Sequence, residues 1–123
     1  MAEKAKILIV DDERDLVDAY VRLLERAGHR CVGAFSGHEA IELIDADTPD
    51  LVLTDLSLPD SNGIDVVRHA RAKSERLPII VMSGANTRGM NEAARAAGAT
   101  VCLLKPVSIA ELKRVIGDAL ATR

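Results

Sequence analysis

Aromatic side chains are all but missing from this sequence: tryptophan is absent, and Tyr20 and Phe35 are the one tyrosine and the one phenylalanine in 123 residues. That shortage argues against base stacking on an aromatic platform. It also means that any core is assembled from Leu, Ile, Val and Ala. Cysteine is scarce as well. Cys31 and Cys102 each lie in a short apolar run with neither metal-ligand spacing nor a histidine cluster nearby, so they read as small buried hydrophobes. An excess of positive charge is lacking too. The formal net charge is -3 and the Lys and Arg residues are scattered, which speaks against direct binding of nucleic acid. Finally, there is no long hydrophobic run: residues 1–6 are charged and Ile7 to Val10 is far too short to target or span a membrane. A cytoplasmic location with no membrane partner is expected.

What is present is ordinary for a packed protein. Hydrophobic residues make up 48% and charged residues 28% of the chain, too apolar a balance for intrinsic disorder. A chain of this length buries roughly two-thirds of the surface its unfolded form exposes, enough for a core without staples. No linker, repeat or low-complexity stretch divides it, so residues 1–123 read as one domain.

Five short apolar runs recur at even spacing: Lys6 to Val10, Arg30 to Phe35, Leu51 to Thr54, Ile79 to Met82 and Val101 to Leu104. Four of them read as buried strands, because continuous rather than alternating apolarity marks a parallel sheet covered on both faces. The segments between them have helical period. Leu16, Ala19, Tyr20, Leu23, Leu24 and Ala27 form one stripe, stopped by Gly28. Ser36 with Glu39, and Ser108 with Glu111, each have the form of a capping box that opens a helix. Gly98 closes a fourth helix whose start is blurred by Gly89. Alternating strands and helices predict an α/β fold with a doubly wound parallel sheet.

The informative residues are the polar ones that end the apolar runs: Asp11 with Asp12, Asp55, Ser83 and Lys105. In a parallel α/β sheet the carboxyl ends of all strands lie on one edge, where ligands bind near the point at which strand order reverses. Residues spread over ninety positions would thus meet in one pocket. Three carboxylates at about 4 Å repel by roughly 4 kcal/mol per pair at an effective dielectric near 20, so positive charge must join them. Lys105 is one source, and a divalent metal on hard oxygen ligands is another; Mg²⁺ suits such a set. A metal and a lysine together invite a phosphoryl group, and a carboxylate can itself be the nucleophile that accepts it. Asp55, at the end of the central strand, is the candidate nucleophile.

The acidic pair in ILIVDDE, the stretch DLSLPDSNG with Asp55, Pro59 and Gly63, the hydroxyl in VMSG and the LLKP ending together resemble the receiver domain of two-component response regulators. The resemblance runs from Lys6 to about Leu120. It implies a flavodoxin-like (βα)5 fold with strand order 2-1-3-4-5, and a phosphorelay in which Asp55 accepts phosphate from a histidine of a sensor kinase or phosphotransfer protein. It further implies that Mg²⁺ (or Mn²⁺) binds to Asp12, Asp55 and the backbone carbonyl of Ser57, with Asp11 acting through water. Lys105 would pair with the phosphoryl group, Ser83 would bond a phosphoryl oxygen, and the Lys105–Pro106 bond would be cis. The output partner would dock on the face of the fourth helix, fifth strand and fifth helix. Under that strand order Cys31 and Cys102 lie on opposite edges, about four spacings of 4.8 Å apart, too far for a disulfide.

Two positions depart from the family pattern. Cys102 stands where an aromatic switch residue is common, and Val107 where a phenylalanine is common, so signal output is read less directly than phosphorylation. Competing readings attach to each residue: Asp11 and Asp12 as helix caps, Asp55 as a turn residue before Pro59, Ser83 as loop chemistry, and Lys105 as a solvated strand end. His29, His38 and His69 read as surface residues, and Arg68, Arg71, Lys73 and Arg76 as complements to a helix carboxyl end. A phosphatase of the haloacid dehalogenase type would share the aspartate nucleophile, but it needs an acid two residues on, where this chain has Ser57. The expected role is therefore signalling rather than turnover. A degenerate receiver, or a receiver cut from a longer regulator, are the other readings.

Overall fold

The computed structural model describes residues 5–60 and 63–122. Strands β1 (Lys6–Val10), β2 (Arg30–Ala34), β3 (Leu51–Asp55), β4 (Ile79–Ser83) and β5 (Val101–Leu104) alternate with helices α1 (Arg14–Arg26), α2 (Gly37–Ala46), α3 (Gly63–Lys73), α4 (Asn91–Ala97) and α5 (Ile109–Ala121). All neighbouring strands are parallel, in the order β2-β1-β3-β4-β5. This is the doubly wound, flavodoxin-like sheet expected from the sequence. Asp55 and Ser83 are the last residues of their strands rather than the first beyond them.

Successive side chains of a strand face opposite ways, so each buried strand feeds two cores. Leu8, Val10, Val52, Ile79 and Val81 pack with α2, α3 and α4 on one face. Ile7, Ile9, Leu53, Ile80 and Met82 pack with α1 and α5 on the other. β3 and β4 are buried throughout, which is why their sequences do not alternate. The edge strands β2 and β5 are only partly covered.

The stripe expected for α1 holds at Tyr20 and Leu24 and is shifted at its edge. Val17, Tyr20 and Leu24 are the buried residues, whereas Ala19 and Ala27 are exposed. The cause lies in β2: a Cβ on Gly33 would stand 2.8 Å from Val17 Cγ1, so the bare glycine lets α1 settle with Val17 against the sheet. Both serines cap their helices as expected. Ser36 Oγ accepts from the Glu39 amide at 3.1 Å, and Ser108 Oγ accepts from the Glu111 amide at 3.0 Å.

Around α4 the blurred start is a 3-10 turn, Arg88–Met90, ahead of seven helical residues. Gly98 ends α4 with φ +121°, a conformation that a Cβ disfavours. Arg71 does more than complement a helix end. It donates through Nε (3.1 Å) and Nη2 (2.6 Å) to the Gly98 carbonyl and through Nη1 (3.0 Å) to the Ser74 carbonyl. The last turn of α3 is thereby fastened to the turn before β5. The histidines also differ from expectation. Only His38 is exposed, while His29 and His69 are half-buried, and His69 Nε2 lies 2.7 Å from Asp45 Oδ1 on α2. Asp45 also meets Lys73 at 2.8 Å. The hydrogen bonds to Lys73 and then His69 hold its carboxyl below the usual carboxylate range.

Candidate functional site

Strand register brings the polar strand ends level. Val10 pairs with Thr54, so Asp11 follows β1 at the height at which Asp55 ends β3. Asp55 pairs with Met82 and Ser83 with Leu104, which leaves Lys105 just beyond β5 at the same edge. Strand order reverses between β1 and β3, and a ligand site is expected there in an open parallel sheet.

Asp11, Asp12 and Asp55 each present a carboxylate oxygen within 4.8 Å of the others. Lys105 reaches across the sheet to them, with Nζ 2.8 Å from Asp55 Oδ2 and 3.1 Å from Asp11 Oδ2. Asp11 is fully buried and Asp55 is 5% exposed, whereas Asp12 is exposed. The remaining oxygens of the buried pair accept backbone amides: Asp11 Oδ1 from Glu13 at 3.0 Å and Asp55 Oδ1 from Ser57 at 3.1 Å. Although burial opposes the charge of Lys105, its hydrogen bonds to Asp55 and then Asp11 prevail and raise its pKa above the usual lysine value.

Helix capping does not account for the acidic pair. The N-cap of α1 is Glu13, with no side-chain cap bond. Asp55 ends a buried strand in contact with Lys105, and Lys105 is 21% exposed and doubly bonded rather than solvated. Three carboxylates against one amine leave two negative charges in excess, and every donor is a hard oxygen. That set fits Mg²⁺ or Mn²⁺.

Ser83 is fully buried, and its hydroxyl oxygen has no hydrogen-bond partner among the described residues. A buried hydroxyl without a partner is uncommon. Ser83 ends β4, whose Met82 pairs with Asp55. Next to it the Gly84 amide donates to Thr87 Oγ1 at 3.0 Å, which closes the turn after β4. The Lys105–Pro106 bond is cis, as expected. Cys102 is half-buried, its thiol 3.9 Å from the Asn91 carbonyl on α4, and Val107 is half-buried against the α1–α5 core.

Two residues have roles that the sequence did not reveal. Tyr20 lines a cleft together with Lys105, Pro106 and Gly84. Burial raises its pKa, and the charges of Lys105, Asp11 and Asp55 act on it as well. In the sequence it was one of several apolar positions on α1. Gly63 is the other. Its amide donates to the Leu56 carbonyl at 2.8 Å, and a Cβ there would collide with the Asp55 carbonyl oxygen and stand 2.9 Å from Leu56 Cα. The spacing from Asp55 to a glycine was visible, but the collision that demands it was not.

Comparison with known proteins agrees with this geometry. Over 121 residues the chain is 36% identical to the phosphoglycerate transport system transcriptional regulatory protein PgtA of Salmonella typhimurium, covering 98% of this chain and 29% of that protein. It is 37% identical over 108 residues to the transcriptional regulatory protein PdtaR of Mycobacterium tuberculosis, covering 87% of this chain and 52% of that one. The chain thus spans about a third to a half of these relatives. Among solved structures, a CheY-like response regulator receiver domain protein from Methanospirillum hungatei superposes with a TM-score of 0.92 at 27% identity, over 97% of this chain and 95% of the other. Residues 7–117 match the response regulator receiver domain family. With its strand order, its acidic cluster and its lysine in the arrangement described, the chain belongs to that family and is a receiver domain of the two-component response regulators.

Proposed function

We infer that Asp55 is the phosphoacceptor of this receiver. One observation carries the assignment: the Asp55 carboxylate is tied to Lys105 at 2.8 Å inside a group of three carboxylates. The inferred donor is a phosphohistidine on a sensor histidine kinase or phosphotransfer protein. The Asp55 oxygen forms a bond to phosphorus as the phosphorus–nitrogen bond breaks. The electron pair of that bond stays on the imidazole nitrogen, which takes up a proton from water. Lys105 holds the developing negative charge, and the spare Ser83 hydroxyl donates to a phosphoryl oxygen.

Asp12, Asp55 and the Ser57 carbonyl would hold Mg²⁺ (or Mn²⁺), with Asp11 acting through water. When bound, the cation would neutralise the excess carboxylate charge and supply Lewis-acid stabilisation there. Turnover of external phosphate esters is not part of the reading, because Ser57 occupies the position where a phosphatase of the haloacid dehalogenase type needs its acid. The domain therefore acts as a phosphorylated switch, with only its own phosphorylation and dephosphorylation as chemistry.

Residues 1–123 would form one receiver domain. Its output would pass to a partner or output domain at the α4-β5-α5 face, without direct contact to nucleic acid or membrane. PgtA and PdtaR are named as transcriptional regulatory proteins and are longer than this chain, which supports an output reached through another domain or protein. Cys102 stands beside α4, and Val107 against the α1–α5 core, in place of the family's usual aromatics, so the switch would be relayed by smaller side chains. No described helix is long and apolar enough to cross a membrane.

The test is incubation with a small phosphoryl donor and Mg²⁺. One acid-stable, base-labile phosphorylated species is expected, and Asp55→Asn should abolish it. Labelling of that variant at the wild-type level would refute the assignment.

A further inference from the structure

The loop after Asp55 is pinned at both ends. At its start, the Leu56 amide donates to the Met82 carbonyl at 3.0 Å and the Ser57 amide to Asp55 Oδ1 at 3.1 Å. At its end, the Gly63 amide returns to the Leu56 carbonyl. Beyond the first pin Leu58 is half-buried, and Pro59 and Asp60 are exposed. Asp60 reaches from there to a different element. Its Oδ1 accepts the Gly37 amide at 2.8 Å and its Oδ2 the His38 amide at 2.9 Å, twenty-two to twenty-three residues away at the start of α2.

Helix α2 already has a local cap, since Ser36 takes the Glu39 amide, and the Glu39 carboxylate returns to the Phe35 amide at 2.7 Å. Asp60 takes the amides of the first two helical residues, which Ser36 and Glu39 do not reach. The amides of His38 and then Gly37 hold its carboxyl below the usual range. The charge is thus present at neutral pH, facing the positive end of the α2 dipole.

The segment between Asp60 and the site is stiff. Pro59 fixes its own φ near -65°, and a residue before proline is confined to extended backbone, which restricts Leu58. Few torsions remain between the Ser57 carbonyl and an anchored Asp60. The geometry points to Asp60 as a positioning residue that, by clamping the loop to the start of α2, aims the Ser57 carbonyl at the metal held by Asp12 and Asp55. This rests on the metal centre proposed above. Groups that orient metal ligands typically change affinity by 10- to 100-fold. Asp60 acts through the backbone on one ligand of three, so the low end applies.

The experiment measures Mn²⁺ affinity by the loss of the free-ion electron paramagnetic resonance signal, with no phosphoryl donor present. Asp60→Ala is expected to weaken binding by about tenfold. Asp60→Asn, which keeps one acceptor oxygen but turns an NH₂ toward the second amide, should fall between Asp60→Ala and wild type, and it carries the test if the alanine variant fails to fold. Ser36→Ala removes a cap from the same helix without touching the loop and should bind Mn²⁺ as wild type does. Wild-type affinity in both Asp60 variants, or an equal loss in Ser36→Ala, overturns the role of Asp60 and leaves the metal centre standing. Failure of the wild-type protein to bind Mn²⁺ overturns the metal centre and this inference with it.

Discussion

Gly63 sits against the backbone of Asp55 so closely that no side chain fits between them: an added Cβ would overlap the Asp55 carbonyl oxygen and stand 2.9 Å from Leu56 Cα. The obstacles are backbone atoms at the end of a fully buried strand, which cannot swing aside. Gly63→Ala is therefore expected to destabilise the domain by about 3 kcal/mol and to lower the yield of phosphorylated protein. Urea unfolding gives the first quantity; an unchanged midpoint would show that the loop relaxes freely.

Lys105 is the one cation bonded to Asp11 and Asp55 among the described residues. Lys105→Met keeps the stem and removes the charge, leaving the two carboxylates to repel. Breaking a largely buried pair from one side costs on the order of 3 kcal/mol, so the metal-free variant should melt lower than wild type. Mg²⁺ should then raise its melting temperature by more than it raises that of wild type, since it supplies the missing counter-charge. A smaller rise in the variant would contradict this account of the cluster.

Arg71 binds the carbonyls of Gly98 and Ser74 at once. Hydrogen bonds from a charged donor contribute about 1.5–3 kcal/mol, and half-burial of Arg71 favours the lower part of that range. Arg71→Ala should cost about 2 kcal/mol and speed amide exchange at Ala99 and Thr100 more than at α1. Uniform acceleration across the molecule would mean that the clamp is not local.

Cys31 and Cys102 lie on β2 and β5, the two edges of the sheet, and both are free thiols. Burial, aided by the charge of Glu25, pushes the Cys31 thiol up to about 11. At pH 8 its thiolate fraction falls roughly a hundredfold below that of an ordinary thiol, and alkylation of the folded protein should slow accordingly. A group whose pKa is higher folded than unfolded favours the folded state below the unfolded value and loses that contribution as pH rises toward the folded one. Stability should therefore decline between about pH 9 and 11, less so in Cys31→Ala. Mild oxidation of the monomer should yield no internal disulfide; recovery of a Cys31–Cys102 peptide would contradict the strand order.

The sheet and the acidic cluster were legible because each depends on a pattern along the chain: apolar runs of strand length, ended by Asp11, Asp55, Ser83 or Lys105. The face of α1 was legible in part: Tyr20 and Leu24 lie on the expected stripe, but Leu16, Ala19 and Leu23 extend it as well as Val17 does, and the choice falls to Gly33 on another strand. Arg71 was opaque, since its acceptor is a carbonyl turned outward by the positive φ of Gly98. Asp60 drew no reading from the sequence, because the amides it caps belong to a helix more than twenty positions earlier.

The sheet also separates the interior into two volumes that do not touch: Ile44 on α2 lies in one, Ile116 on α5 in the other. Helices and sheets stack about 10 Å apart, so substitutions in the two volumes share no neighbours. Their costs should simply add. Packing beneath α2 and packing beneath α5 are then free to diverge independently, each answering only to the common rim of strand ends.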